Sequence, residues 1–256
     1  MRLYSACIDM LFVPETADMA QRIHLAKAAG MDAVEFWLWS NKDLNAVEDA
    51  LGATGLALAG IVAEPFAELT RTSDHNRFLD GLAQSLAVAQ RLGTRVMIAQ
   101  AGPLLEGVSR ASQHDALVEA MARSADVLKG SGVQLALEPL NTLVDHAGYF
   151  LHSTAEGLDI VEAVNRPEIA LLYDLYHSMV MGEVPQDVLA GRVERIAHIH
   201  VADHPGRNQP GTGELPLAPT LDWLAANSYA GYVGLEFRPT GETAAALDET
   251  RVELGR

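Results

Sequence analysis

The sequence predicts an α/β chain folded as one (β/α)₈ barrel domain over residues 1–256. Three observations predict it. Eight short apolar runs alternate with eight segments of helical periodicity. The runs are apolar on both faces, as parallel strands covered by helices must be. The length of 256 residues suits a single barrel of this kind, which takes ~250 residues, and no linker, low-complexity tract or charge block divides it.

Each run has about five to seven residues, the length of a buried strand. In chain order, strand Leu3–Ile8 leads to a helix over Ala17–Ala29, entered through Thr16 and left at Gly30. Strand Ala33–Trp37 precedes a helix over Leu44–Gly52. Strand Leu56–Val62 precedes the helix Asn76–Leu92, which sets Phe78, Leu82, Leu86 and Ala89 on one face and stops at Gly93. Strand Arg95–Ala99 precedes helix Gln113–Gly130, and Val133–Leu137 precedes Thr154–Val164. Ile169–Tyr173 precedes Val184–Leu189, Ile196–Val201 precedes Pro219–Asn227, and Tyr232–Phe237 precedes Glu242–Val252. An open doubly wound sheet shares this alternation. It usually carries a glycine-rich phosphate turn after its first strand, where this chain reads Cys7-Ile8-Asp9-Met10-Leu11-Phe12.

Hydrophobic residues at 49% and charged residues at 20% exclude a disordered chain. A formal net charge of −16 opposes DNA, RNA and anionic membranes. No dense Lys/Arg run supplies a basic patch, so neither a nucleic acid nor a membrane is expected as partner. The single cysteine, Cys7, excludes an internal disulfide and suits a reducing compartment. Asp9, Glu15 and Asp18 interrupt the N-terminal apolar stretch, unlike a signal peptide, and no apolar run reaches the ~18 residues of a membrane span. The expectation is a soluble cytoplasmic protein.

In a (β/α)₈ barrel the active site lies at the carboxyl ends of the strands. There the last four strands read Leu-Glu138, Tyr-Asp174, His198-Ile-His200 and Leu-Glu236. A lone strand-end acid is more often a helix cap or a solvated rim residue, and His198 could be a satisfied core histidine. Four such ends on consecutive strands are different, because burying three acids is costly without a cation. Three carboxylates and one imidazole form a ligand set for a single divalent ion. The oxygen majority favours Mg²⁺ or Mn²⁺ over zinc, whose sites are richer in His or Cys.

The strings LEPLNT (Leu137–Thr142), YDLYH (Tyr173–His177), HIHVAD (His198–Asp203) with PGRNQPGTGE (Pro205–Glu214), and GLEFRP (Gly234–Pro239) resemble the hydroxypyruvate isomerase family. That family belongs to the xylose isomerase-like TIM barrels, beside the ketose 3-epimerases and the family of endonuclease IV. The resemblance covers essentially the whole chain. It implies Glu138, Asp174, His200 and Glu236 as metal ligands, Glu138 and Glu236 as the acid/base pair, and His177 and Arg207 as substrate contacts. At one position the chain departs from the pattern: typical hydroxypyruvate isomerases carry Gln where this chain has His200, and the ketose epimerases carry His.

The implied reaction removes a proton beside a carbonyl, with the ion stabilising a cis-enediolate. On a small 2-keto acid this converts hydroxypyruvate to tartronate semialdehyde, or acts on a related 2-oxo-tetronate. A ketose 3-epimerase acting on free sugars is the alternative, and a non-catalytic binding barrel or a phosphodiesterase are weaker ones. A homo-oligomer is allowed. Arg207 would grip a substrate carboxylate, or else pin its own loop by pairing with Glu214. Trp37 and Trp39 are candidates for pocket walls, Glu64 for the rim, and His146 for a substrate contact or a solvated loop residue. Gly206–Gly213 lacks a Walker ending and is read as a mobile cover.

Overall fold

The structure, a computed structural model, describes residues 2–255. Among these, strands β1 (Leu3–Cys7), β2 (Ala33–Phe36), β3 (Ala57–Val62), β4 (Val96–Gln100), β5 (Gln134–Glu138), β6 (Ile169–Asp174), β7 (Ile196–Val201) and β8 (Tyr232–Leu235) follow one another around a closed barrel. Every neighbouring pair is parallel, including β1 against β8. The barrel predicted from the alternation is therefore the fold.

Helices α1 (Met19–Ala28), α2 (Leu44–Thr54), α3 (His75–Leu92), α4 (Arg110–Leu128), α5 (Thr154–Val164), α6 (Leu175–Val180), α7 (Pro185–Val188), α8 (Leu217–Ala226) and α9 (Thr243–Leu254) surround it. Helix α1 begins later than the sequence suggested. The cap is Asp18, whose carboxylate accepts from the backbone N–H groups of Ala20 and Gln21, while the Thr16 hydroxyl accepts from Asp18 N. The six-residue α6 was not anticipated, because it is too short to show a 3.6-residue period. Its cap is a strand-end acid, Asp174, which accepts from His177 N at 3.0 Å.

Packing divides the apolar residues into two groups. The larger lies between helices and barrel and includes Ile23, Leu82, Leu117 and Leu158, all fully buried. Each such side chain contributes ~1.5–3 kcal/mol relative to exposure. The smaller, Val62, Ile98, Ala136 and Leu172, fills the barrel interior on the β3–β6 side. Alternation along a strand then points Gln100, Glu138 and Asp174, two residues further on, inward at the carboxyl end. On the opposite side the interior is polar, with Ser5, Glu35, His198 and His200 buried and Gly234 among them.

Candidate active site

The four strand-end residues singled out in the sequence meet. One ligand atom from each of Glu138, Asp174, His200 and Glu236 lies within 4.8 Å of every other, and all four side chains are buried. Register explains the convergence on three of them: Asp174 pairs with His200, and His200 with Gly234, two residues before Glu236. His200 Nδ1 stands 3.5 Å from Glu138 Oε1 and 3.6 Å from Glu236 Oε2, too far for normal hydrogen bonds. It is a buried nitrogen without a hydrogen-bond partner, facing carboxylates. Such a donor set fits a divalent cation, which would satisfy the nitrogen and neutralise the acids together.

His177 is carried by α6 to the side of this cluster. The backbone N–H of Asn141 points at His177 Nδ1 from 3.2 Å, and Asn141 Nδ2 lies 2.7 Å from the same atom. An amide N–H can only donate, so Nδ1 accepts and the ring proton sits on Nε2. That Nε2 is buried, lacks a hydrogen-bond partner and lies 3.6 Å from Asp174 Oδ2. Asn141 is itself held by Asp145, which also accepts from the Tyr176 hydroxyl at 2.7 Å.

Arg207 reaches the cluster from the loop after β7, but its partner is Glu236 and not Glu214: Nη2 donates to Glu236 Oε2 at 2.5 Å. The other oxygen, Oε1, accepts from Trp37 Nε1 at 2.8 Å. The loop itself is pinned, contrary to its reading as a mobile cover. The buried Asp203 carboxylate accepts from the backbone N–H of His204, Gly211, Gly213 and Leu215. Gln209 ties the same loop to Thr240 and Glu249. Arg207 adopts a left-handed φ of 55° within it, an uncommon conformation for a residue with a Cβ, and its carbonyl accepts from Arg238 N.

A cavity of about 230 Å³ opens over the cluster, with Trp37, Phe66, Gln100, His146, His177 and Arg207 among its walls. This is below the ~300–1,000 Å³ of drug-sized pockets and suits a substrate of a few carbons. Trp39 instead donates to Ser85 on α3, and Glu64 holds the backbone of Trp39 and Ser40. Gln100 escaped the sequence reading because a neutral amide carries no acid or imidazole signal, although it directly follows an apolar run. Glu35 lies inside the apolar run Ala33–Trp37 and carries no strand-end signal of its own.

The xylose isomerase-like TIM barrel family matches residues 23–252. The chain belongs to that family. Hydroxypyruvate isomerase of Escherichia coli K12 is 28% identical, over 95% of this chain and 96% of its own. The 2-oxo-tetronate isomerase of Haemophilus influenzae is 30% identical, over 96% of both chains. A solved structure from Brucella melitensis, described as an AP endonuclease of family 2, superposes with a TM-score of 0.87 at 27% identity, covering 96% of this chain and 97% of its own. By this kinship the chain is an isomerase of the xylose isomerase-like family.

The electrostatics of this buried cluster are uneven. Burial outweighs the attraction of His200 and pushes the Glu138 carboxyl above the usual range. Burial likewise raises Asp174 against the pull of Arg207 and His200. Glu236 goes the other way: burial opposes ionisation, but His200, Arg207 and the Trp37 N–H together hold it below the usual range. Burial would discharge His200, yet Glu236, Glu35 and Glu138 keep its imidazole well above the ordinary value. Burial and the Arg207 charge keep His177 neutral, well below that value. The two glutamates are thus pulled apart in proton affinity, the separation that acid/base partners need.

Proposed function

We propose that the chain is a divalent-metal-dependent isomerase of a small 2-keto acid. It would convert hydroxypyruvate to tartronate semialdehyde, or perform the same shift on a 2-oxo-tetronate. The observation that carries this reading is the buried cluster of three carboxylates and one imidazole beside the Arg207 guanidinium. Glu138, Asp174, His200 and Glu236 would hold the ion, Mg²⁺ or Mn²⁺ because oxygen donors dominate. When bound, the ion polarises the substrate's carbonyl and neighbouring hydroxyl and so favours the cis-enediolate.

Glu138 and Glu236 carry the proton. It leaves C3 of hydroxypyruvate to one carboxylate and is returned to C2, while the hydroxyl proton passes from O3 to O2. His177, neutral and protonated on Nε2, offers that hydrogen to a substrate oxygen. Arg207 meets the substrate carboxylate; its Nε is buried without a hydrogen-bond partner, which leaves donor capacity beyond the bond to Glu236. The names of the relatives from E. coli and H. influenzae support a keto-acid substrate. The net charge of −16 speaks against the DNA chemistry named for the Brucella protein. The single buried thiol of Cys7 supports a cytoplasmic setting.

His200 favours a second reading, a ketose 3-epimerase, in which the proton returns to the same carbon from the opposite face. Incubation with Mn²⁺ in deuterated water separates the two. Deuterium entering hydroxypyruvate or its product supports the first reading. Exchange confined to free ketoses would replace it with the second, and exchange into neither class would leave only a binding barrel.

A further inference from the structure

Beneath the cluster lies a second buried network that none of the proposed steps uses. The carboxylate of Glu35, on β2, sits inside the barrel only 3% exposed. Its Oε2 accepts from the Ser5 hydroxyl at 2.7 Å and lies 2.7 Å from His198 Nε2. Its Oε1 stands 2.9 Å from His200 Nε2, an ion-pair contact that is not a well-aligned hydrogen bond. An imidazole lone pair that close to a carboxylate oxygen would be repelled by it. The attractive arrangement puts the ring proton on Nε2.

The barrel is built to allow this reach. Glu35 and His200 belong to strands separated by β1 and β8, and both intervening strands carry small residues at this level, Ser5 and Gly234. A Cβ on Gly234 would meet Glu35 Oε1 at 2.5 Å and His200 Cδ2 at 2.6 Å. No side chain larger than hydrogen leaves the pair in contact.

We propose that Glu35 is the positioning residue of the metal site: held by Ser5 and His198 and given room by Gly234, it fixes the His200 proton on Nε2 and so leaves Nδ1 as the nitrogen that faces Glu138, Asp174 and Glu236. This rests on the reading that those four residues hold a divalent cation. Partners behind a ligating imidazole are a general device for setting its tautomer and orientation, and their loss typically weakens metal binding ~10–100-fold.

The test is Mn²⁺ titration calorimetry on the whole chain, as a double-mutant cycle of Glu35→Gln with His200→Gln. A Gln at position 200 offers an oxygen ligand but no Nε2, so a residue acting through that nitrogen loses its lever. Glu35→Gln should weaken Mn²⁺ about 10-fold or more in the parent chain. In the His200→Gln background it should change the affinity less than about 2-fold. Equal losses in both backgrounds would mean that Glu35 only supports the barrel, and undiminished affinity in the single variant would likewise overturn the proposal. If Glu35→Gln does not fold, Ser5→Ala enters the same cycle, with a loss of about 3-fold or more required in the parent background alone. Failure of the unmodified chain to bind Mn²⁺ is a separate outcome, which removes the metal reading and this proposal with it.

Discussion

Arg207 Nη2 donates to Glu236 Oε2 at 2.5 Å, so the cation expected to meet a substrate carboxylate also neutralises one of the two expected proton carriers. The pair joins two loops, one after β7 and one after β8, directly above the barrel. Its two duties make distinct kinetic demands, and substitution of the arginine can separate them.

Arg207→Lys should lower kcat/KM for hydroxypyruvate about 10-fold or more, because Lys cannot reproduce the planar fork and hydrogen bonds to charged groups contribute ~1.5–3 kcal/mol. A neutral ketose should lose much less. Steady-state kinetics on both substrates checks this. Equal losses would assign Arg207 to Glu236 alone and remove the keto-acid grip.

Glu138→Gln and Glu236→Gln should each cut kcat by at least ~10²-fold, the scale of general acid–base catalysis. Both variants should keep the far-ultraviolet circular dichroism of the parent. Near-normal turnover in either would remove that glutamate from the proton path.

Chelation should abolish turnover, and added Mn²⁺ or Mg²⁺ should restore it with about one ion per chain. Full activity in a preparation shown to be free of metal by elemental analysis would contradict the cluster's proposed role.

Metal binding should release protons. Glu138, Asp174 and His200 all have proton affinities held upward, so each keeps its proton to a higher pH than an ordinary group of its kind. An ion must displace those protons, and its affinity should fall as the pH is lowered. Calorimetry in buffers of different ionisation enthalpy measures the release. A buffer-independent heat together with a pH-independent Kd would refute it.

Asp203→Ala should cost at least ~2 kcal/mol, since it strands four backbone N–H groups that now donate to one carboxylate. In a chain of this size that is a fall in Tm of about 4–8 °C. Activity should fall as well, because Arg207 loses its perch. An unchanged Tm in thermal denaturation would show that the loop holds itself without Asp203.

The sequence by itself determined the eightfold alternation, because strand and helix periods are local properties of the chain. It also determined which residues stand at the strand ends: Glu138, Asp174 and Glu236 close apolar runs, and His200 follows His198 at a spacing of two. The barrel then brings them together, Asp174, His200 and Glu236 by strand register and Glu138 from the neighbouring β5. Only the tertiary structure decided what each one touches. Asp174 turned out to be both a helix cap and a cluster member, its Oδ1 accepting from His177 N while the carboxylate stands among Glu138, His200 and Glu236. Glu35 finds His198 across 163 positions of sequence, and Arg207 finds Glu236 rather than the nearby Glu214. The contacts of Glu35 depend on barrel closure, and the one with His200 on Gly234, which leaves space between the two side chains. A contact between distant strands leaves no periodic trace in the sequence, so it becomes visible only once the chain has closed on itself.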